Sequence, residues 1–325
     1  MDLFEVATPL LARGKRLRAG FLAAGWRSYG GQPMAAAEIQ AGAGLELFQL
    51  AALVHDDLID ASPTRRGLAS AHRQFQSLHG RNRMISDGNT FGAAGALLLG
   101  DLLLVAAESE LQAALAAIPG NVNRARVVFE KMMAEVTAGQ YLDIYAQSAP
   151  WSDNPDVDLD RAKRVIRAKS ARYSVEHPLA LGACMAGANY EEEEAIREVG
   201  SPVGEAFQLR DDVLSVFGDP KQTGKPSGDD LREGKRTVLV TLAMARASGS
   251  EAKFLKEKIG DPSLNDRDIA KIKEILVNCG ALAEVESLID ARAAAATTAM
   301  ERLDLDADAE AFLKTLTSAA ITRVQ

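Results

Sequence analysis

The sequence predicts an all-α fold: one large helical bundle around a central apolar cavity, with residues 1–325 forming a single domain. Composition is the first reason. Hydrophobic residues make up 47% of the chain but aromatics only 5%, alanine and leucine supply most of the remainder, and β-branched runs are scarce. The second reason is punctuation. Long segments with apolar residues at helical spacing are broken by short Gly/Pro turns, and no Pro/Gly/Ser-rich linker divides the chain.

Charge narrows the function. The chain has 37 basic and 45 acidic residues, a net charge of -8, which argues against general nucleic-acid binding and requires any anion site to be a local basic cluster. Two cysteines, Cys184 and Cys279, fit a reducing cytosol and read as inert core packing. The first sixteen residues lack the order of a signal peptide. The longest apolar run, 91–107, contains Asp101 and is short for a span of ~20 residues, so it reads as a core helix. A cytoplasmic protein without stable membrane insertion is expected.

Taken in order, residues 14–18 (GKRLR) place Lys15 and Arg18 three apart, on one helix face at the rim of the apolar helix 19–29. Residues 30–33 are a turn. The central stretch is 45–67, LELFQLAALVHDDLIDASPTRRG. Its apolar half reads as a buried helix, and it then sets His55, Asp56, Asp57 and Asp60 where solvent is expected to be absent. Asp56 and Asp60 at i and i+4 share a face, and oxygen donors of that kind suit Mg²⁺, which takes one or two carboxylates and completes its shell with phosphate and water. Pro63 stops the helix, and the guanidinium pair Arg65 and Arg66 follows, as a diphosphate requires.

Residues 68–89 read as a polar connection, with His72 and His79 on the surface. In the following apolar helix, Asp101 reads as a structural partner for a cation. The helix 124–146 carries Gln140 and Asp143 on one face. A loop, 147–160, follows, in which Asp158 or Asp160 is expected to cap the next helix, the one bearing Lys169, Ser170 and Tyr173. Residues 204–212 (GEAFQLRDD) nearly repeat the first acidic pattern, ending in Asp211 and Asp212, with Ser215 where a third acid would stand. Residues 218–237 are a long Gly/Pro/Lys-rich loop, from which Lys225 and Lys235 are placed to reach back over a phosphate. Beyond 238 the chain is helical without evident chemistry. Two carboxylate clusters on separate helices imply several Mg²⁺ ions and a diphosphate, and the apolar stripe offers Phe48, Ala51, Ala52, Leu98 and Leu99 as lining for an apolar tail.

The ordered set GKRLR, DDLID…RRG, Gly139-Gln140…Asp143, Lys169-Ser170 and FQLRDD…GKPSGDDLREGK resembles the trans-isoprenyl diphosphate synthases, the family of farnesyl and geranylgeranyl diphosphate synthases, over nearly the whole chain. The resemblance implies the isoprenoid synthase fold, a homodimer, and head-to-tail condensation of isopentenyl diphosphate with an allylic diphosphate. It implies that Asp56 and Asp60 ligate two Mg²⁺ ions and Asp211 a third, with Asp57 and Asp212 completing the acidic shell. Arg65, Lys169, Gln208, Lys225 and Lys235 would hold the allylic diphosphate; Lys15, Arg18, Arg66 and Gln49 the isopentenyl one; Gln140 and Ser170 would stabilise a carbocation.

The chain departs from the family pattern in places. Arg13 and Ala19 replace a glycine and a proline, Gln49 replaces a histidine, Ser215 replaces an acid, and little of the usual first helix precedes Lys15. In this family bulky aromatics four or five positions before the first aspartate limit the product to farnesyl length. Ala52 and Ala51 stand there, which implies geranylgeranyl diphosphate (C20), with a longer product as second choice. The rival chemistry, a class I terpene cyclase, has no need of a second diphosphate site, which the cations Lys15, Arg18 and Arg66 supply.

Overall fold

The computed structural model describes residues 3–120, 122–219 and 228–322. The predicted all-α class holds: the only strands among the described residues are two-residue arms of one hairpin. The chain divides into two compact units, residues 1–23 with 32–120 and residues 24–31 with 121–325.

The first unit contains α1 (Leu3–Ala12), the start of α2 (Leu17–Ser28), α3 (Ala36–Ile59), β1 (Thr64–Arg65), β2 (Leu68–Ala69), α4 (Ala71–Arg81) and α5 (Gly88–Ala116). The antiparallel hairpin pairs Thr64 with Ala69 and Arg65 with Leu68. Its core joins Leu50, Ala51 and Val54 of α3 to Ala96, Leu99 and Leu103 of α5, with Phe75 of α4 and Leu10 of α1 closing the sides. Burying the Leu, Val and Phe side chains among these supplies about 1.5–3 kcal/mol each, which outweighs the modest intrinsic preference of an isolated helix. The close seat of α3 on α5 needs Gly100, where a Cβ would lie 2.0 Å from His55 Nε2.

Residues 68–89 are not merely a connection, because α4 runs through them. Its apolar stripe uses His72 and His79 beside Phe75, and both histidines are buried rather than on the surface. Helix α5 is long and apolar enough to cross a membrane by composition, with a mean hydropathy of 1.9 over its most apolar window. One face of it is core, at Ala96, Leu99, Gly100 and Leu103. The other carries Leu97, Leu98 and Val105 in the open, so the expectation of a core helix holds for half its circumference.

The second unit contains the end of α2 and then α6 (Asn123–Ser148), α7 (Pro155–Val165), a π-helical segment (Ile166–Glu176), α8 (His177–Met185) and α9 (Tyr190–Phe217). It continues through α10 (Asp229–Arg232), α11 (Val238–Arg246), α12 (Gly249–Lys258), α13 (Asp266–Asn278), α14 (Ala281–Met300) and α15 (Ala307–Ile321). From Pro155 to Met185 the chain is one continuous rod whose middle winds wider than an α-helix. Asn154, not Asp158 or Asp160, caps it, accepting from Asp156 N at 3.1 Å. Asp158 instead accepts from Ser152 N and Arg161. Helix α9 packs on the π-helical segment, α8 and α14, and opens with a capping box between Asn189 and Glu192.

Candidate active site

In the first unit the end of α3 presents the predicted acids. Asp60 caps the helix and its N–H still bonds the carbonyl of Asp56 at 2.8 Å, so the two carboxylates occupy successive levels of one face. Asp57 is 2% exposed. The hairpin folds Arg65 back onto this cluster: Nε donates to Asp57 Oδ1 at 2.8 Å and Nη2 to Asp56 Oδ2 at 3.3 Å. One guanidinium thus bridges two acids, Asp56 and Asp57. His55 turns away, its Nε2 lying 3.2 Å from the carbonyl of Leu97 and 3.6 Å from Asp101. Asp101, expected to partner a cation, is 59% exposed and has the His55 ring 3.6 Å away.

The basic turn lies in the same unit. Arg66 donates to the carbonyls of Leu10, at 2.8 Å, and Arg13, and packs against Gly14, whose φ of 138° no side chain tolerates well. Arg13 donates to the carbonyl of Arg66 at 2.8 Å. Arg16, in a left-handed conformation, bonds Glu46 Oε2 at 3.0 Å and the carbonyl of Leu11. Burial first, then the charges of Arg16, Arg18 and Arg65, push the Arg66 pKa down against the pull of Glu46. Lys15 is exposed and Arg18 and Gln49 are half-buried. Sequence reasoning missed Arg13, Arg16 and Glu46; the positive run 13–18 was the available signal.

In the second unit the π-helical segment brings Lys169 Nζ to Asp143 Oδ2 at 2.6 Å, with Gln140 and Ser170 half-buried. The second acidic cluster is at the end of α9. Asp211 is exposed and Asp212 buried, with Gln208 Nε2 on Asp212 Oδ1 at 2.7 Å and no partner on Oδ2. Burial pushes the Asp212 carboxyl well above the usual range. The charges of Asp230 and Asp211 add to this, while Gln208 and Lys235 oppose it. Asp230, which the motif reading left out, is thus part of the cluster. Lys235 Nζ sits 2.6 Å from Glu233 and 3.5 Å from Asp230. Ser215 binds its own helix, Oγ to the carbonyl of Asp212 at 2.8 Å, and its carbonyl receives Gly228 N at 3.0 Å. Lys225 lies outside the described residues.

Of the predicted lining, Phe48 and Leu99 are buried and Leu98 is not: at 59% exposure it borders an open groove with Phe4, Phe75 and Phe91. Ala51 is packed into the core with Leu50, Val54 and Leu99, whereas Ala52 is half-buried on the Asp56 stripe.

Two carboxylate clusters, each with a cation beside it, are a donor set suited to a magnesium-bound diphosphate. The chain matches the polyprenyl synthetase family model over residues 2–276, and it belongs to that family. It is a prenyltransferase with the isoprenoid synthase fold. A geranylgeranyl pyrophosphate synthase from Corynebacterium glutamicum, solved with isoprenyl diphosphate and magnesium, is similar at 37% identity with a TM-score of 0.92, covering 99% of this chain and 91% of that one. The geranylfarnesyl diphosphate synthase of Aeropyrum pernix is 32% identical over 97% of this chain and 92% of its own length. The octaprenyl diphosphate synthase of Escherichia coli is 30% identical over 83% and 74%. The family takes isopentenyl and allylic diphosphates and depends on magnesium.

The residues fit that metal. Among the described residues no three Asp, Glu, His or Cys side chains form a ready cage. Pairs of oxygen donors, with the buried Asp212 Oδ2 lacking a partner, are what Mg²⁺ requires when phosphate and water complete its shell.

Proposed function

We propose that the chain condenses isopentenyl diphosphate head to tail with an allylic diphosphate and that its main product is geranylgeranyl diphosphate. The observation that carries the chemistry is Arg65 bridging Asp56 and Asp57 with Asp60 one turn on, an acid–guanidinium set suited to a magnesium diphosphate. Asp56, Asp60 and Asp211 would hold Mg²⁺, up to three ions with diphosphate bound, and Asp57 and Asp212 would complete the acidic shell. Arg65, Lys169, Gln208, Lys225 and Lys235 bind the allylic diphosphate; Lys15, Arg18, Gln49 and Arg66 bind the isopentenyl one.

Magnesium, when bound, supplies neutralisation of the charge that grows on the departing diphosphate. The chain's own residues bind and orient. Lys169 and Arg65 hold the allylic diphosphate while its C–O bond breaks, the electron pair leaving with the diphosphate. The side-chain oxygens of Gln140 and Ser170 stabilise the allylic cation, and the apolar lining excludes water from it. The isopentenyl double bond then forms the new C–C bond, and a proton passes to the released diphosphate. His55 takes no part, since its ring is turned to Leu97 and Asp101.

Chain length follows from one stripe of α3. Ala52 leaves room one turn before Asp56, and Phe48, buried one turn deeper, narrows the same face. This favours C20 over the longer products made by some relatives. The exposed apolar face of α5 at Leu97, Leu98 and Val105 supports a homodimer burying that face, and the family model runs through both units, supporting one functional domain.

The test is chromatography of products from Mg²⁺, isopentenyl diphosphate and, separately, dimethylallyl, geranyl or farnesyl diphosphate. A C20 diphosphate is expected. C30 or longer would retain the coupling and overturn the Phe48 argument, and hydrocarbon formed without isopentenyl diphosphate would make the chain a cyclase.

A further inference from the structure

One stripe of α6 carries Glu135, Gly139 and Asp143 at successive fourth positions, so all three face the same way. The π-helical segment lies against that stripe at each level. Lys169 pairs with Asp143 at 2.6 Å, and Arg172 Nη1 donates to Glu135 Oε1 at 2.9 Å. Between them Gly139 lets the backbone approach: a Cβ there would stand 2.4 Å from Lys169 N. Gly204 of α9 does the same on the other side, where a Cβ would stand 2.3 Å from the carbonyl oxygen of Ala171. The segment that bears Lys169 and Ser170 is therefore seated between two glycines and latched to α6 by two ion pairs.

The Glu135 latch is built to last. Its second oxygen, Oε2, lies 2.8 Å from Nε2 of His177, whose side chain is fully buried. Arg197 Nη1, a donor, lies 3.3 Å from His177 Nδ1, which assigns the proton of the neutral imidazole to Nε2, facing Glu135. Arg172 is held further by Glu176, and Glu176 by Arg197 at 3.0 Å. Glu135, Glu176, Glu193 and Glu194 are met by Arg172, Arg197, Arg124 and Lys131, four acids against four bases. No residue of this network belongs to the diphosphate or metal roles assigned above.

The Lys169–Asp143 pair is different, because the reading above draws Lys169 toward an allylic diphosphate. We propose that Glu135 and Arg172 are positioning residues whose ion pair keeps the π-helical segment seated on α6 while Lys169 exchanges Asp143 for diphosphate. This rests on the assignment of Lys169 to the allylic diphosphate. A π-helical stretch has poorer inherent stability than an α-helix and commonly marks a functional site, so its register needs anchors that substrate does not compete for.

Two measurements test it. In steady-state kinetics, Glu135→Gln raises the KM for the allylic diphosphate by about tenfold and leaves the isopentenyl diphosphate KM within about twofold. Arg172→Met does the same, and Arg172→Lys, which keeps the charge on Glu135 but cannot also hold Glu176, recovers part of the loss. A lowered melting temperature with both KM values unchanged, or an equal rise in both, overturns the proposal. The second measurement is amide hydrogen exchange over 166–176 in the wild type, Glu135→Gln, Lys169→Ala and the double variant. The double variant is expected to exchange faster than the two single effects combined, and simple additivity overturns the latch. If the wild type condenses nothing, the functional reading fails while the exchange data still decide whether the latch exists.

Discussion

Arg13 and Arg66 clasp one another through the main chain: the guanidinium of Arg13 donates to the carbonyl of Arg66, and that of Arg66 donates to the carbonyl of Arg13. Arg66 thereby orders the turn that carries Lys15, in addition to its assigned role toward isopentenyl diphosphate. Replacing it removes two charge-assisted bonds to carbonyls as well as a cation. Arg66→Ala is expected to lower stability by about 1–2 kcal/mol and to raise the isopentenyl diphosphate KM far more than the allylic one. Urea unfolding and steady-state kinetics measure the two effects. Arg66→Lys keeps the charge but cannot reach both carbonyls, so it restores little.

Ala52 and Ala51 separate the two meanings of a small residue. Ala52→Phe puts a ring on the Asp56 stripe above Phe48 and is expected to shift the main product toward C15 without loss of stability. Ala51→Phe drives a ring into the cluster formed by Leu50, Val54, Leu99 and Leu103, and is expected to cost about 1–3 kcal/mol whatever it does to the product. Product chromatography and calorimetry on both variants distinguish these outcomes. An unchanged product from Ala52→Phe removes residue 52 from the chain path.

What the sequence made legible was what lies close together along it. Asp56, Asp57 and Arg65 meet across nine residues and a hairpin, so their contact follows from helix periodicity and one turn. Asp143 with Lys169 and Glu135 with Arg172 join residues 26 and 37 apart, and nothing local specifies which faces of two helices will meet. The glycines of the motifs were visible, yet Gly139 declares its purpose only when the backbone of Lys169 lies against it. Helix α4 was hidden because His72 and His79 stand in its apolar stripe, and a histidine reads as polar until its burial is known. Residue 215 looked like a defect of the second cluster; in three dimensions Asp230 stands near Asp212, and Ser215 anchors the chain at Gly228.

His177 makes stability depend on pH. Burial pushes its pKa down, the charge of Arg197 acting in the same direction and Glu135 and Glu176 opposing. The groups facing it are Glu135 of α6, Glu176 of the π-helical segment and Arg197 of α9. The unfolded chain therefore takes up the proton first, near pH ~6.5. Stabilisation is complete above that pH and is lost as pH falls through it toward the lower folded value. The carboxylates of Glu135 and Glu193, whose pKa values are held down, add a loss of the same sign only below about 4.5. Urea midpoints should thus be lower at pH 5.5 than at 7.5, and His177→Gln should shrink that difference.

Asp212 offers the sharpest separation of stability from function. Its Oδ2 is buried without a partner, a state that costs about 1–3 kcal/mol, and the negative charges of Asp211 and Asp230 stand nearby. A residue kept so at the expense of the free protein is expected to serve a bound state. Asp212→Asn retains the shape and removes the charge. Without magnesium or substrate, the variant is expected to melt at a higher temperature than the wild type. With both present, it gains less from them, because a ligand stabilises the fold only in proportion to its affinity for the folded state. Calorimetry with and without Mg²⁺ and inorganic pyrophosphate reads both quantities. A variant that melts lower in the free state makes Asp212 a structural acid, and one that gains as much from the ligands as the wild type removes it from the acidic shell.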